Sequence, residues 1–266
     1  MQEDSDKIVL IVGAGSVVNS WQPIIKVLQP DFDFEMDSDG ANSFLARAVY
    51  MLRFVATVAT PGSNIHLQKM IRDVNEIKSR ICKELIIAEK SKLIKAQKEF
   101  EAILDKFVFF KNNKFVVIST NWDTVIDNQI NIFGSSNFPK PRSKIETFHL
   151  HGSILSPTRL YLPSEVAKES YRTEQESSEM LSLHASTLTA ISESNKTILY
   201  GLSLDPLDAE LCQILALGWS SSNLKEIIII NPDYKKVVQR VKLLLGFDKI
   251  KISCYCPNNL NKKIDF

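Results

Sequence analysis

Three side chains in this sequence carry chemistry: Asn121, Asp123 and His151. An amide that holds a hydroxyl or a water, a carboxylate that accepts, and an imidazole that ionises near neutral pH can together bind a polar ligand and move a proton. Each follows a short apolar run. Phe115-Val116-Val117-Ile118 stops at Ser119-Thr120-Asn121-Trp122-Asp123, and Thr147-Phe148-His149-Leu150 stops at His151-Gly152-Ser153. Runs rich in β-branched residues predict strands buried on both faces. Open α/β sheets hold their ligands outside the carboxyl ends of such strands. Taken alone, Asn121 and Asp123 also suit helix caps, and His151 also suits a hydrogen-bonded core position. His149 precedes the glycine motif and reads as structural, while His66 and His184 sit in helical patterns with no motif around them.

The elements that must position these residues are legible along the chain. Lys7 to Val12 predicts another buried strand, running straight into Gly13-Ala14-Gly15-Ser16. A strand followed at once by Gly-x-Gly suits a tight turn, a close approach of backbone to phosphate, and a following helix that adds its positive N-terminal end. The third glycine of the dehydrogenase fingerprint is missing, and no clear strand ending in an acidic residue lies about 20 positions on, which argues against an ordinary dehydrogenase. Residues 31–40 read as an acidic loop and residues 41–58 as a helix, stopped by Thr60-Pro61-Gly62-Ser63. From Asn64 to Phe133 there is neither Gly nor Pro, and Leu67, Met70, Ile71, Val74, Ile77, Ile81 and Leu85 recur at helical spacing. Leu93, Phe100, Ile103, Leu104 and Phe107 continue that stripe. Lys83, Lys90, Lys92, Lys95 and Lys98, interleaved with Glu84, Glu89 and Glu99, read as a solvated face. Residues 40–110 are thus expected to form a helical insertion covering one side of the site.

Further on, a helix is expected over 174–192 and a strand over Lys196–Tyr200, ending at Gly201-Leu202-Ser203-Leu204-Asp205. Asp205-Pro206 would start a helix from about Leu207 to Leu217. Glu226 to Ile230 predicts a strand ending at Asn231, Tyr234 to Leu245 a helix, and Lys249 to Tyr255 an edge strand. Strands alternating with helices imply a mainly parallel sheet with helices on both faces, an α/β Rossmann-like fold.

Length and composition agree with one soluble α/β domain over residues 1–266. Hydrophobic content is 44%, charged content 24% and net charge +1. Nothing in that balance advertises direct nucleic-acid or membrane binding. No apolar run is long enough to span a membrane, and the acidic start MQEDSDK is not a signal peptide. Cys82, Cys212, Cys254 and Cys256 fit neither a disulfide framework nor a zinc site, so a reducing cytoplasm is expected.

Taken in order, the strand ends spell Gly-Ala-Gly, Thr-Asn-x-Asp, His-Gly, Gly-x-Ser and Ile-Asn. This ordered set, from Ile8 to about Asp233, resembles the sirtuin superfamily. The resemblance implies a Rossmann-like sheet that binds NAD as a substrate and breaks its nicotinamide–ribose bond. It implies that Gly13, Ala14 and Gly15 cradle the pyrophosphate, with Ser16 and Thr120 also in the cofactor site. Asn121 would hold the nicotinamide ribose and a water, Asp123 the carboxamide, and His151 would be the general base. Gly201 and Ser203 would contact phosphate or ribose, and Asn231 the adenosine ribose.

The departures from the family pattern narrow the function. Deacylating sirtuins carry a zinc module of two Cys-x-x-Cys pairs between the His-Gly and Gly-x-Ser motifs. Here no cysteine lies between His151 and Gly201, so no metal and no zinc module are expected. Ser16-Val17-Val18-Asn19-Ser20-Trp21 replaces the segment that flanks the acyl-lysine site. The pattern resembles bacterial sirtuin-like NADases of anti-phage defence, in which water is the acceptor and NAD depletion stops growth. That resemblance implies a regulatory protein subunit: an Argonaute, an ATPase translocase or a nucleoside-triphosphate pyrophosphatase-like protein. It also allows a homo-oligomer. An NAD- or ADP-ribose-sensing module and a zinc-free deacylase or ADP-ribosyltransferase are the other readings of the same residues.

Overall fold

The computed structural model describes residues 6–58, 64–109, 114–137, 145, 147–156, 160–246 and 250–266. The chain-stop expected at residues 60–63 and the expected strand start at residue 249 lie outside them. Seven strands form the main sheet: β1 (Lys7–Val12), β4 (Lys114–Ser119), β5 (Thr147–His149), β6 (Lys196–Tyr200), β7 (Glu226–Ile230), β8 (Lys251–Cys256) and β9 (Asn259–Asp265). Their spatial order is β5-β4-β1-β6-β7-β8-β9. Every pairing is parallel except β8 with β9. Numbered within this sheet alone, the order is 3-2-1-4-5-6-7. The first six are the doubly wound Rossmann order, whose direction reverses beside the first strand.

Alternation along the strands explains why helices cover both faces. Ile8, Leu10 and Val12 of β1 join one hydrophobic cluster with Ile24, Leu45, Ile81 and Ile126. These come from α1 (Gln22–Leu28), α2 (Ser38–Val58), α3 (Asn64–Lys90) and α5 (Val125–Asn137). Val9 and Ile11 point the other way. They pack with Ile191, Leu215 and Val241, which belong to α6 (Glu174–Ser192), α7 (Ala209–Trp219) and α8 (Tyr234–Leu245). The expected helical region at residues 40–110 contributes Leu45, Val49, Ile81 and Leu85 to the same cluster as β1.

Four expectations change. The stripe from Leu93 to Phe107 is not one helix. Lys92 takes a positive φ of 58°, and β3 (Lys95–Ala96) pairs antiparallel with β2 (Val17–Val18). Only then does the short helix α4 (Phe100–Ile103) begin, widening into a π-helical turn over Leu104–Val108. Secondly, the Gly-x-Gly turn leads into a 3₁₀ turn (Ala14–Ser16) and β2, not a helix; α1 starts only at Gln22, with Pro23 in its first turn. Thirdly, β8 is not an edge. The hairpin partner β9 covers it and bears Lys262 and Lys263 outward, as charged edge strands do. Lastly, α7 begins at Ala209 rather than at Leu207.

The lysines Lys83, Lys90, Lys92, Lys95 and Lys98 are exposed, as a solvated face requires. Their acidic neighbours turn to partners instead. Glu84 meets Lys26 at 2.7 Å, Glu89 accepts from the Thr124 hydroxyl at 3.0 Å, and Glu99 accepts from the Tyr200 hydroxyl at 3.1 Å.

Gly218 lets α7 lie close against α6. A Cβ there would stand 2.4 Å from Ile191 Cγ2 and 2.9 Å from its Cβ. Gly218→Ala should therefore destabilise the protein by about 1–3 kcal/mol, although Ala is the better helix former by about 1 kcal/mol. Chemical denaturation checks this. In an Ile191→Ala background the penalty should shrink, whereas a Gly218→Ala protein more stable than wild type would contradict the packing.

Candidate functional site

A cleft of about 800 Å³ opens at the carboxyl ends of the strands, where the sheet order reverses. Ala14, Gly15, Thr120, Asn121, Asp123, His151, Gly201, Ser203 and Asn231 line it. Gly13 and Ser16 do not; they lie behind the wall.

The two glycine motifs fit against each other. The Gly13 N–H donates to the Tyr200 carbonyl (3.0 Å), the Gly15 N–H to the Gly201 carbonyl (2.9 Å), and the Ser16 N–H to the Gly13 carbonyl (2.9 Å). Gly201 has a φ of +65°, and a Cβ on it would lie 2.3 Å from the Ser16 nitrogen. The glycines thus serve backbone-to-backbone packing, and their N–H groups are engaged within the protein rather than aimed into the cleft. Among the described residues no hydrogen bond holds the Ser203 or Leu204 N–H. Leu204 itself has a φ of 54°, a conformation rare outside glycine.

Behind these residues lies a supporting layer. Ser16 Oγ donates to the Gly13 carbonyl (2.7 Å) and accepts from Asn121 Nδ2 (3.3 Å). Asn231 Nδ2 donates to the Leu202 carbonyl (2.8 Å), and its Oδ1 accepts from the Asp233 N–H (2.8 Å). The Asn231 amide therefore holds the 202–204 loop in shape. His149, read from sequence as structural, bridges the Asn121 carbonyl at Nδ1 (3.0 Å) and Asp127 at Nε2 (3.1 Å). His184, also placed outside any motif, has its Nε2 3.4 Å from the Leu150 carbonyl and its Nδ1 3.3 Å from Glu210.

Asp123 is buried at the end of β4, and its Oδ1 accepts from the Val125 N–H (3.1 Å). It thus combines a cleft position with an Asx-type hydrogen bond at the start of α5, whose N-cap position is Thr124. Burial pushes its carboxyl up to about 6 despite that hydrogen bond, with Glu89 adding to the rise. His151 Nδ1 stands 3.3 Å from the Thr120 carbonyl, and its Nε2 3.1 Å from Asp208 Oδ1. Burial works against the imidazolium, but the charge and hydrogen bond of Asp208, helped by the Thr120 carbonyl, raise the His151 pKa above the ordinary histidine value.

Sequence reasoning missed two parts of the site. Asp208 sits just ahead of α7, and only the fold brings it to His151. The other is a buried ionic cluster that fixes the cleft wall between β5 and α6. Glu165 accepts from Lys78 Nζ of α3 (3.0 and 3.1 Å), the Leu162 N–H (2.6 Å) and the Tyr171 hydroxyl (3.0 Å), with Arg172 Nη2 at 2.8 Å. Burial would raise this carboxyl, but Lys78 and Arg172 outweigh it and hold it below the usual range. Glu169 is clamped beside it by Arg53 of α2. The Trp122 indole N–H donates to the Tyr161 carbonyl (3.0 Å), tying the same wall to the end of β4. A buried carboxylate with paired cations on two helices gives no local sequence signal. Among the described residues no group of three or more His, Cys, Asp or Glu side chains is placed to hold a metal ion.

No family model and no curated protein sequence matches this chain. Solved structures that this chain matches include a mutant Sir2 homologue in complex with ADP-ribose. It has a TM-score of 0.42 and 14% identity, and the match covers 92% of this chain and 95% of that one. Another is a mutant Sir2 homologue with 2′-O-acetyl ADP-ribose, at a TM-score of 0.43 and 15% identity, covering 92% and 96%. A third, from work on the mechanism and regulation of Sir2 enzymes, has a TM-score of 0.34 and 14% identity, covering 86% and 81%.

The raised Asp123 pKa has a defined thermodynamic sign. Between the ordinary value of 3.8 and about 6, the native state holds a proton that the unfolded chain has lost, so stability falls as pH rises through that window. Asp123→Asn removes this contribution. Relative to wild type, the variant should gain on the order of 3 kcal/mol between about pH 4 and about pH 7. Denaturant midpoints across that range measure it, and a pH-independent difference would contradict the burial argument.

Proposed function

We propose that this chain is an NAD glycohydrolase, cleaving the nicotinamide–ribose bond to give nicotinamide and ADP-ribose. The observation that carries the reading is that Asn121, Asp123 and His151 line one cleft with Gly15 and Gly201 at the point where the sheet order reverses. Open α/β sheets bind dinucleotides at that point. In this reading the chain is one NAD-binding domain, with residues 40–110 a helical insertion covering one side of the nucleotide.

Nicotinamide departs as a neutral molecule with the C–N bonding pair, leaving positive charge shared by ribose C1′ and the ring oxygen. Little acid assistance is needed; stabilisation of that charge and a positioned acceptor are. Asp123, ionised above about pH 6, accepts from the carboxamide N–H of the leaving group. Asn121 holds the ribose and a water, and its Oδ1 has no other hydrogen bond among the described residues. The water oxygen adds to C1′ and its proton passes to His151. Ala14, Gly15, Gly201 and Ser203 flank the pyrophosphate, and Asn231 shapes the adenosine side through Leu202. Gly13 and Ser16 act from behind on backbone positions, and Thr120, in the cleft lining, holds the His151 ring through its carbonyl.

On the motif resemblance we also propose a setting: a cytoplasmic NAD-depleting effector of anti-phage defence. A second protein of the Argonaute, ATPase translocase or pyrophosphatase-like kind would restrain it or assemble with it.

The test is nicotinamide release from NAD by the purified protein, with the proposed partner co-expressed. His151→Ala should lower the rate by about 10²–10⁴-fold, and Asn121→Ala should also abolish most of it, with NAD binding retained in His151→Ala. Equal release by His151→Ala and wild type, or no NAD binding by wild type, would overturn the reading.

A further inference from the structure

The ring nitrogens of His151 face two acceptors. Nδ1 meets the Thr120 carbonyl oxygen (3.3 Å), which can only accept, and Nε2 meets the Asp208 carboxylate (3.1 Å). A neutral imidazole has one N–H and one lone pair. Either neutral tautomer would therefore set a lone pair against an oxygen acceptor. Both contacts are favourable only when both nitrogens carry protons, Nδ1–H donating to the Thr120 carbonyl and Nε2–H paired with the Asp208 carboxylate, and in that state His151 has no lone pair with which to act as a base.

Asp208 is placed for this purpose and not for helix capping. It precedes α7 at the N-cap position, yet its side chain makes no cap hydrogen bond. Its carboxylate is partly exposed and lines the same cleft as Asn121 and His151. The Leu207 N–H donates instead to Asp205 Oδ1 (3.0 Å), and the Asp208 N–H to the Asp205 carbonyl (2.9 Å), so Asp205 fixes the approach to α7 and leaves the Asp208 carboxylate for His151. The other charge felt by His151 is Glu210 on α7, which lies against His184 of α6 (3.3 Å) and accepts from the Ala167 N–H (3.0 Å).

We propose that Asp208 is a positioning residue for His151: it fixes the ring and holds both of its protons, so that His151 becomes a base only when a bound ligand takes over the Nε2 contact. This deepens the hydrolase reading and rests on it for the identity of the ligand. The geometry orders the events. As NAD enters, a ribose hydroxyl or the attacking water takes the place of the Asp208 oxygen at Nε2, and the Nε2 proton leaves to solvent or to Asp208. The freed lone pair then accepts the proton from water, while Nδ1–H stays on the Thr120 carbonyl and keeps the ring in place. Without ligand the base stays masked, which limits turnover by a half-filled site.

Ring-nitrogen NMR on histidine-labelled protein tests the proposal without needing turnover, with His151 assigned from the His151→Gln spectrum. In wild type His151 should carry both protons at neutral pH, with its midpoint above that of an ordinary histidine. Asp208→Asn should lower that midpoint by about one pH unit or more, a tenfold or greater weakening of proton binding. His149, paired with Asp127, should keep its midpoint and so report an intact fold. Asp208→Glu should restore most of the shift. Saturating ADP-ribose should leave wild-type His151 with a single proton, on Nδ1, at neutral pH. A His151 midpoint that does not move in Asp208→Asn while His149 is unchanged would overturn the proposal, as would a singly protonated His151 in the ligand-free protein. Release of nicotinamide with an unmoved midpoint would leave the hydrolase and remove Asp208; a moved midpoint without nicotinamide release would do the reverse.

Discussion

The structure depends on a contact that only glycine permits. At the point where the sheet order reverses, the turns after β1 and β6 press together backbone to backbone. The Gly15 N–H meets the Gly201 carbonyl at 2.9 Å, and no room is left for a Cβ on Gly201, which would meet the Ser16 nitrogen at 2.3 Å. The Gly201 N–H continues the chain of contacts to the Ile230 carbonyl (3.2 Å), joining β7 to the same seam. Because the turns are this close, the strand ends beyond them converge and the cleft takes its floor. Larger residues would part β1 from β6 at the point where every proposed site residue is held.

From that seam the site is built in layers. Supporting side chains spend hydrogen bonds on backbone: Ser16 on Gly13, Asn231 on Leu202, His149 on Asn121. Those at the front face the cleft, and their surroundings set their charge. The Asp123 and His151 pKa values are both raised, one by desolvation and the other by a paired carboxylate. Across the cleft, the ionic cluster on Glu165 and Glu169 ties the wall between β5 and α6 to α2 and α3. Such clusters are costly to desolvate and costly to break, so here they fix the wall alongside its buried Leu160, Tyr161 and Leu162.

The sheet was legible because its strands are continuous β-branched runs that end abruptly in polar residues: Ile8 to Val12, Phe115 to Ile118, Lys196 to Tyr200 and Glu226 to Ile230. The motif residues at those ends could be named because strand position alone carries them to one edge. What could not be read depends on contacts made across the fold. Asp208 stands in an unremarkable polar turn and acquires meaning only beside His151, far away in sequence. Lys78 and Arg53 look like surface residues of amphipathic helices until Glu165 and Glu169 arrive from the far side of the cleft. The break near Lys92 was hidden because Leu93, Phe100 and Phe107 keep helical spacing, although a positive φ and pairing with Val17–Val18 override it. Strand β9, mostly polar with only Leu260 and Ile264 as a half-buried apolar pair, lacks the run that marked the interior strands.

The most direct test of the account is the crystal structure of the protein with ADP-ribose. The account predicts the pyrophosphate beside Gly15 and Gly201–Ser203, the terminal ribose against Asn121 and His151, and the Asp208 carboxylate withdrawn from Nε2. Ligand bound elsewhere, or in this cleft with the His151–Asp208 contact unbroken and the ribose away from Asn121, would contradict it.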